Sequence, residues 1–130
     1  PQGWYSLLYP ADWEHIVVEE IPAFFDPEAG GALQFYAFES KVEKFDVNFE
    51  LANYLKIHEI DFEEDKVAEF ENNEGTSIRA CEFDKDGRNW LVYVLANERQ
   101  MLLATYNTDD PIDDSMFQKL SDTISSVRFL

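Results

Sequence analysis

Little in this chain binds or reacts in a recognised pattern. Its 130 residues hold one cysteine, Cys81, and two histidines, His15 and His58. A lone cysteine excludes an internal disulfide framework and suits a reducing compartment, although periplasmic proteins also exist without disulfides. The histidines stand far apart with no HExxH, CxxC or similar spacing, so no metal ligand and no cofactor are assigned. No apolar run approaches the roughly 20 residues of a membrane span, so no membrane insertion is expected. No signal peptide lies within these residues. The first residue is Pro1, not methionine, so a cytoplasmic location and export after removal of an upstream segment both stay open. Basic residues are scarce as well, with 10 Lys and Arg against 27 Asp and Glu and a formal charge of −17. Such a surface repels nucleic acid and anionic lipid and attracts a basic protein partner. The plainer reading is that the charge keeps a soluble protein soluble.

Apolar side chains are plentiful. They make up 45% of the chain, with 11 Phe, 6 Tyr and 3 Trp, which excludes a disordered tail. A chain of this length buries roughly two-thirds of its unfolded surface, enough for a core without staples. Residues 1–130 read as a single domain, with no linker, repeat or low-complexity tract.

The stretch Arg88–Tyr106 organises the rest. Two apolar runs, Trp90–Ala96 and Met101–Tyr106, flank a polar break at Asn97–Gln100, which is a hairpin pattern. Both runs are apolar on both faces, so the hairpin belongs in the middle of a sheet covered on both sides. Further strands are expected at Trp4–Leu8, His15–Glu20, Ala23–Phe25 as a short edge after Pro22, Ala32–Phe38, Lys66–Phe70 and Ser77–Phe83. Turns are expected through Pro10-Ala11-Asp12, at Asn72–Gly75 and at Asp84-Lys85-Asp86-Gly87. Asp46–His58 changes period: Val47, Leu51 and Leu55 recur at four behind an Asp46 cap, giving a helix. A second helix is expected behind Asp110 and Pro111, with Ile112, Met116, Leu120 and Ile124 in its stripe. Hairpins with one helix midway and one at the end predict an α+β fold. Its centre is an antiparallel sheet of about six or seven strands with helices on both faces, an α/β/α sandwich.

The ends of the chain carry a resemblance. The opening GWYSLLYPADW, Gly3–Trp13, and the ending SDTISSVRFL, Ser121–Leu130, resemble the opening and close of domains in the PsbP/Mog1/DcrB-like superfamily. The opening is most similar to a bacterial domain of unknown function, DUF3805. The resemblance implies the same helix-flanked antiparallel sheet. It also implies a largely non-enzymatic group: photosystem accessory proteins, a regulator that binds a small GTPase, and periplasmic or lipoprotein components. Neither motif carries chemistry, so no functional residue is transferred.

The candidate site residues are surface features. Glu59–Asp65 places five acids in seven residues, and Asp61, Glu63, Glu64 and Asp65 are the candidates for an acidic binding face. Phe62 in their midst is either an exposed anchor or the pin that holds the loop to the core. Trp4, Tyr5, Tyr9 and Trp13 form an aromatic cluster in which Trp4 and Trp13 are candidate contacts, against a default of core packing. No catalytic residue is assigned. Cys81 lies among apolar neighbours and reads as a small core residue. Asp84–Gly87 shares alternate aspartates with a calcium loop but lacks its distal glutamate, so the turn reading prevails. The chain is accordingly expected to be a non-enzymatic interaction module, a monomer or weak dimer, that binds another protein through an acidic face. The alternatives are a small-ligand binder or enzyme using a sheet–helix cleft, and an acidic inhibitor or immunity-type protein directed at a basic target.

Overall fold

A computed structural model describes residues 5–19, 21–28, 31–39, 46–60, 67–72, 75–97 and 100–129. The elements run β1 Tyr5–Ser6, β2 Glu14–Val18, β3 Ile21–Phe25, β4 Ala32–Glu39, α1 Val47–Ile57, β5 Val67–Glu71, β6 Ser77–Lys85, β7 Arg88–Ala96, β8 Gln100–Thr108, α2 Asp114–Ser125 and β9 Arg128–Phe129. Seven strands form one antiparallel sheet in the order β2-β3-β4-β8-β7-β6-β5. The β7–β8 hairpin sits at its middle, as its two-sided apolar pattern requires. Asp86 and Gly87 turn β6 into β7, both at positive φ of 54° and 77°, while Lys85 and Arg88 close the ladder. Positive φ at both central positions suits the strand twist, and Asp-Gly supplies it at low cost.

Alternation along the central strands builds two cores, one on each face of the sheet. Leu91, Tyr93 and Leu95 of β7 pack with Leu102, Ala104 and Tyr106 of β8 and with Leu120 and Ile124 of α2. Val92, Val94 and Ala96 point the other way, to Met101, Cys81 and the α1 residues Val47, Leu51 and Leu55. Each helix therefore seals one face. Burial of each large aliphatic side chain contributes about 1.5–3 kcal/mol, and the fully buried set includes Leu51, Leu55, Leu120 and Ile124. Cys81 is buried with the α1-side core, as a small apolar residue would be.

The α1 cap forms as the sequence predicts. The Asp46 carboxylate accepts from the backbone N–H groups of Asn48 and Phe49 at 3.0 and 3.2 Å. The second helix starts later than expected. Asp113, not Asp110, is the N-cap, with its Oδ1 accepting the Met116 N–H at 2.8 Å. Pro111 and Ile112 lie in the lead-in, because a second aspartate reaches the free N–H groups in better register.

Two strands also depart from expectation. β1 is only two residues long and pairs with β9 in a separate ribbon, Tyr5 opposite Phe129 and Ser6 opposite Arg128. The Leu8 N–H donates to Ser126 Oγ at 2.7 Å, and that hydroxyl lies 2.6 Å from the Thr123 carbonyl and 3.1 Å from the Leu8 carbonyl, either of which can accept its one proton. The opening and closing motifs of the chain thus clasp one another. Nor is β3 the edge of the sheet, despite Pro22. β2 is the edge, with Val18 opposite Ile21 and Val17 opposite Pro22. Pro22 is tolerated inward because the β3–β4 ladder pairs only Ala23 with Gln34 and Phe24 with Leu33, beyond the missing N–H.

Candidate functional site

Asp61, Phe62, Glu63, Glu64, Asp65 and Trp4 lie outside the described residues. Trp13 is described, and its indole is only 5% exposed, in the α2-side core. The Pro10 turn sets it there, since the Trp13 backbone N–H donates to the Pro10 carbonyl at 3.0 Å. Its ring Nε1 is buried without a hydrogen-bond partner. Trp13 therefore serves the core and presents no surface to a partner.

The other aromatic residues near it form a graded cluster running from core to solvent. Phe35 is buried and meets Phe24 edge-on at a centroid distance of 5.6 Å. Phe24 in turn carries His15 stacked at 4.6 Å and Tyr9 tilted at 4.8 Å. Tyr5 packs on Phe35 at 5.9 Å. His15 is exposed, and its ring lies on Phe24 as a half-wet aromatic. His58 caps α1 at its C-terminal end, with its ring 4.3 Å from that of Tyr54. The two histidines have separate structural settings, as expected.

Phenols show what burial does here. Burial pushes Tyr93 up to about 12; a hydrogen bond with Ser121 opposes the shift and Glu82 adds to it. Tyr106 is raised by burial and then by Asp113 and Asp26, and Tyr54 by burial and then by Tyr36. These groups stay protonated in the core. Among the described residues the buried polar side chains are four threonines, Thr76, Thr105, Thr108 and Thr123. No group of three or more His, Cys, Asp or Glu side chains placed to hold a metal ion occurs among the described residues.

The surface is where composition becomes spatial. Three of the scarce cations are already engaged. Arg79 Nε lies 3.1 Å from Glu69 and donates to Asn48 Oδ1 at 2.9 Å. Arg88 pairs with Asp109, and Lys85 Nζ donates to the His58 carbonyl. More telling, residues 1–40 contain no lysine or arginine, while Asp12, Glu14, Glu19, Glu20, Asp26, Glu28 and Glu39 lie among them. The half of the sheet built from β2, β3 and β4 therefore has no cation of its own. It also carries exposed apolar side chains: Ile16 is 46%, Val17 59% and Val18 53% exposed, with Leu8 and Tyr9 nearby in sequence. A strand over His15–Glu20 is expected from the sequence, but its place at the edge is not, because a proline marks an edge and Pro22 lies in β3. The available signal was the run Ile16-Val17-Val18 bracketed by acids, read together with the first cation at Lys41.

This architecture places the chain among PsbP-like α+β folds. The cyanobacterial PsbP (CyanoP) of Synechocystis sp. PCC 6803, a solution structure, matches with a TM-score of 0.65 and 17% identity, covering 99% of this chain and 88% of that one. A Bacteroides thetaiotaomicron VPI-5482 protein, a crystal structure at 1.50 Å resolution, matches with a TM-score of 0.70 and 14% identity over 98% of this chain. The chain spans 45% of the length of that protein. No family model matches the chain, and no curated protein matches it. At these identities the likeness is one of fold. No helix among the described residues is long and apolar enough to cross a membrane.

Proposed function

We propose that this chain is a non-catalytic interaction module that binds a basic protein partner through its acidic surface. The observation that supports this most is the charge distribution. The formal charge is −17, and the first 40 residues lack any cation. Such a surface accelerates encounter with a basic partner and repels acidic competitors. Asp61, Glu63, Glu64 and Asp65 form the densest run of acids and are the second part of the proposed surface. The sheet–helix cleft alternative calls for a carboxylate or His15 in a water-poor pocket, and His15 is instead exposed on Phe24. An inhibitor of a basic enzyme is a narrower form of the same proposal and draws on the same charge. Within the fold group, the opening motif Gly3–Trp13 supports a place among the DUF3805 domains.

The test is capture of partners by the full chain from lysate of its source, washed at low and at high salt, followed by identification and purification of what is retained. The proposal predicts a basic protein that is held at low salt and released at high salt. A partner that is acidic, or equally retained at both, would contradict it.

A further inference from the structure

The two edges of the sheet are built differently. β5 carries Glu69 and Glu71, and charge on an edge strand discourages further pairing. β2 is less guarded: its sequence is EHIVV, with one charge, Glu14, at its start; all five residues are exposed, and Ile16-Val17-Val18 are apolar. Its backbone is also open. The register makes Val18 and Ile21 the closing pair and sets Pro22, which has no N–H, opposite Val17, so Glu14, Ile16 and Val18 face β3 with their N–H and C=O groups. The N–H and C=O groups of His15 and Val17 then point away from the sheet, and β2 has no second neighbour among the described strands.

We propose that the β2 edge takes up an extended segment of a partner protein, apolar at its centre and flanked by Lys or Arg, as an added strand. This rests on the interaction-module reading and names the surface and the mode. Backbone bonds to His15 and Val17 supply affinity, and side-chain pairing with Ile16, Val17 and Val18 supplies selectivity. Charge selects the occupant. Asp12 and Glu14 stand at one end of β2, Asp26 follows the residue opposite Glu14, and Glu19 stands at the other end. Both ends of the incoming segment therefore meet carboxylates from a stretch of chain, residues 1–40, that has no Lys or Arg. A second copy of this chain is a poor occupant: antiparallel pairing about Ile16 sets Glu14 of each copy opposite Val18 of the other, and the acids that flank the strand in both copies meet no Lys or Arg from residues 1–40.

The probe is the acetylated and amidated peptide Lys-Thr-Val-Val-Thr-Lys, added to the isotope-labelled full chain and followed by amide NMR and hydrogen exchange. The proposal predicts shifts centred on residues 14–18. It also predicts exchange at His15 and Val17 slowed by about tenfold at saturation, and loss of both at high salt. A matched peptide with Glu in place of Lys should leave the spectrum unchanged. Val17→Pro removes an outward N–H without touching the β2–β3 bonds, and should weaken the peptide by about tenfold. Ile16→Lys with Val18→Lys, which keeps the backbone intact, should do the same if Val17→Pro disturbs the fold. Salt-sensitive peptide binding that leaves residues 14–18 unmoved would overturn the edge site while leaving the interaction module standing. No binding of the Lys peptide at any salt, together with no salt-released partner in the capture, would overturn both. Concentration-dependent self-pairing through β2, indifferent to the peptide, would assign the edge to a second copy and overturn the proposal.

Discussion

Tyr93 shows how a single residue couples the core to solution conditions. Its phenol is 2% exposed on the α2 side of the sheet, and burial raises its pKa from the usual 10 to about 12. Below pH 10 both folded and unfolded chains hold the proton and the folded state keeps its full margin. Between pH 10 and 12 the unfolded chain releases the proton and the folded chain does not. Stability therefore falls as pH rises through that window, by about 1.4 kcal/mol per unit for this group and roughly 3 kcal/mol in all. Tyr5, Tyr54 and Tyr106 shift in the same direction. Urea midpoints from pH 9 to 11.5 should fall more steeply for the native chain than for Tyr93→Phe; parallel curves would remove Tyr93 from the account. Gly31 makes a second residue-scale case. A Cβ there would lie 2.4 Å from Cζ of the buried Tyr106 ring. Gly31→Ala should cost about 1–3 kcal/mol through overpacking, readable as a lower thermal midpoint, and an unchanged midpoint would show that the ring yields freely.

At the scale of elements, the start of α2 depends on which aspartate caps it. Asp113→Ala should destabilise by about 0.5–2 kcal/mol, because it frees the Met116 N–H, whereas Asp110→Ala should stay within about 0.5 kcal/mol. Equal effects in chemical denaturation would return the cap to Asp110. The same comparison shows how far the elements were legible. The period of four behind Asp46 and the two-sided apolar hairpin needed only local rules, so α1, β7 and β8 were readable in advance. The start of α2 was not, because Asp110, Asp113 and Asp114 all satisfy a capping rule and only three-dimensional register chooses. The identity of the edge strand was hidden for a related reason. A proline argues for an edge, but the ladder it faces can instead be left short, as β3 and β4 leave it. The candidate site fared less well. Trp13 has the composition of a surface anchor and the position of a core residue, and sequence cannot tell these apart for an aromatic beside a turn.

For the whole molecule, charge is the feature that the fold does not absorb. Two packed cores hold the sandwich together, while a formal charge of −17 works against compactness. Salt should therefore stabilise the free chain, and its thermal midpoint should rise between about 0.01 M and 0.5 M NaCl as repulsion is screened. A falling midpoint would mean that ion pairs such as Arg79–Glu69 outweigh the repulsion. Salt acts in the opposite sense on binding, since it also screens attraction to a basic partner. That opposition separates the proposed function from a general loosening of the fold.

The most direct measurement is the affinity of the purified captured partner for the native chain and for the variant with Asp61, Glu63, Glu64 and Asp65 changed to Asn or Gln, across the same salt range. The account predicts that the variant folds as the native chain does, binds more weakly at low salt and depends less steeply on salt. Equal affinity of the two chains, or a variant that fails to fold, would contradict the acidic binding face.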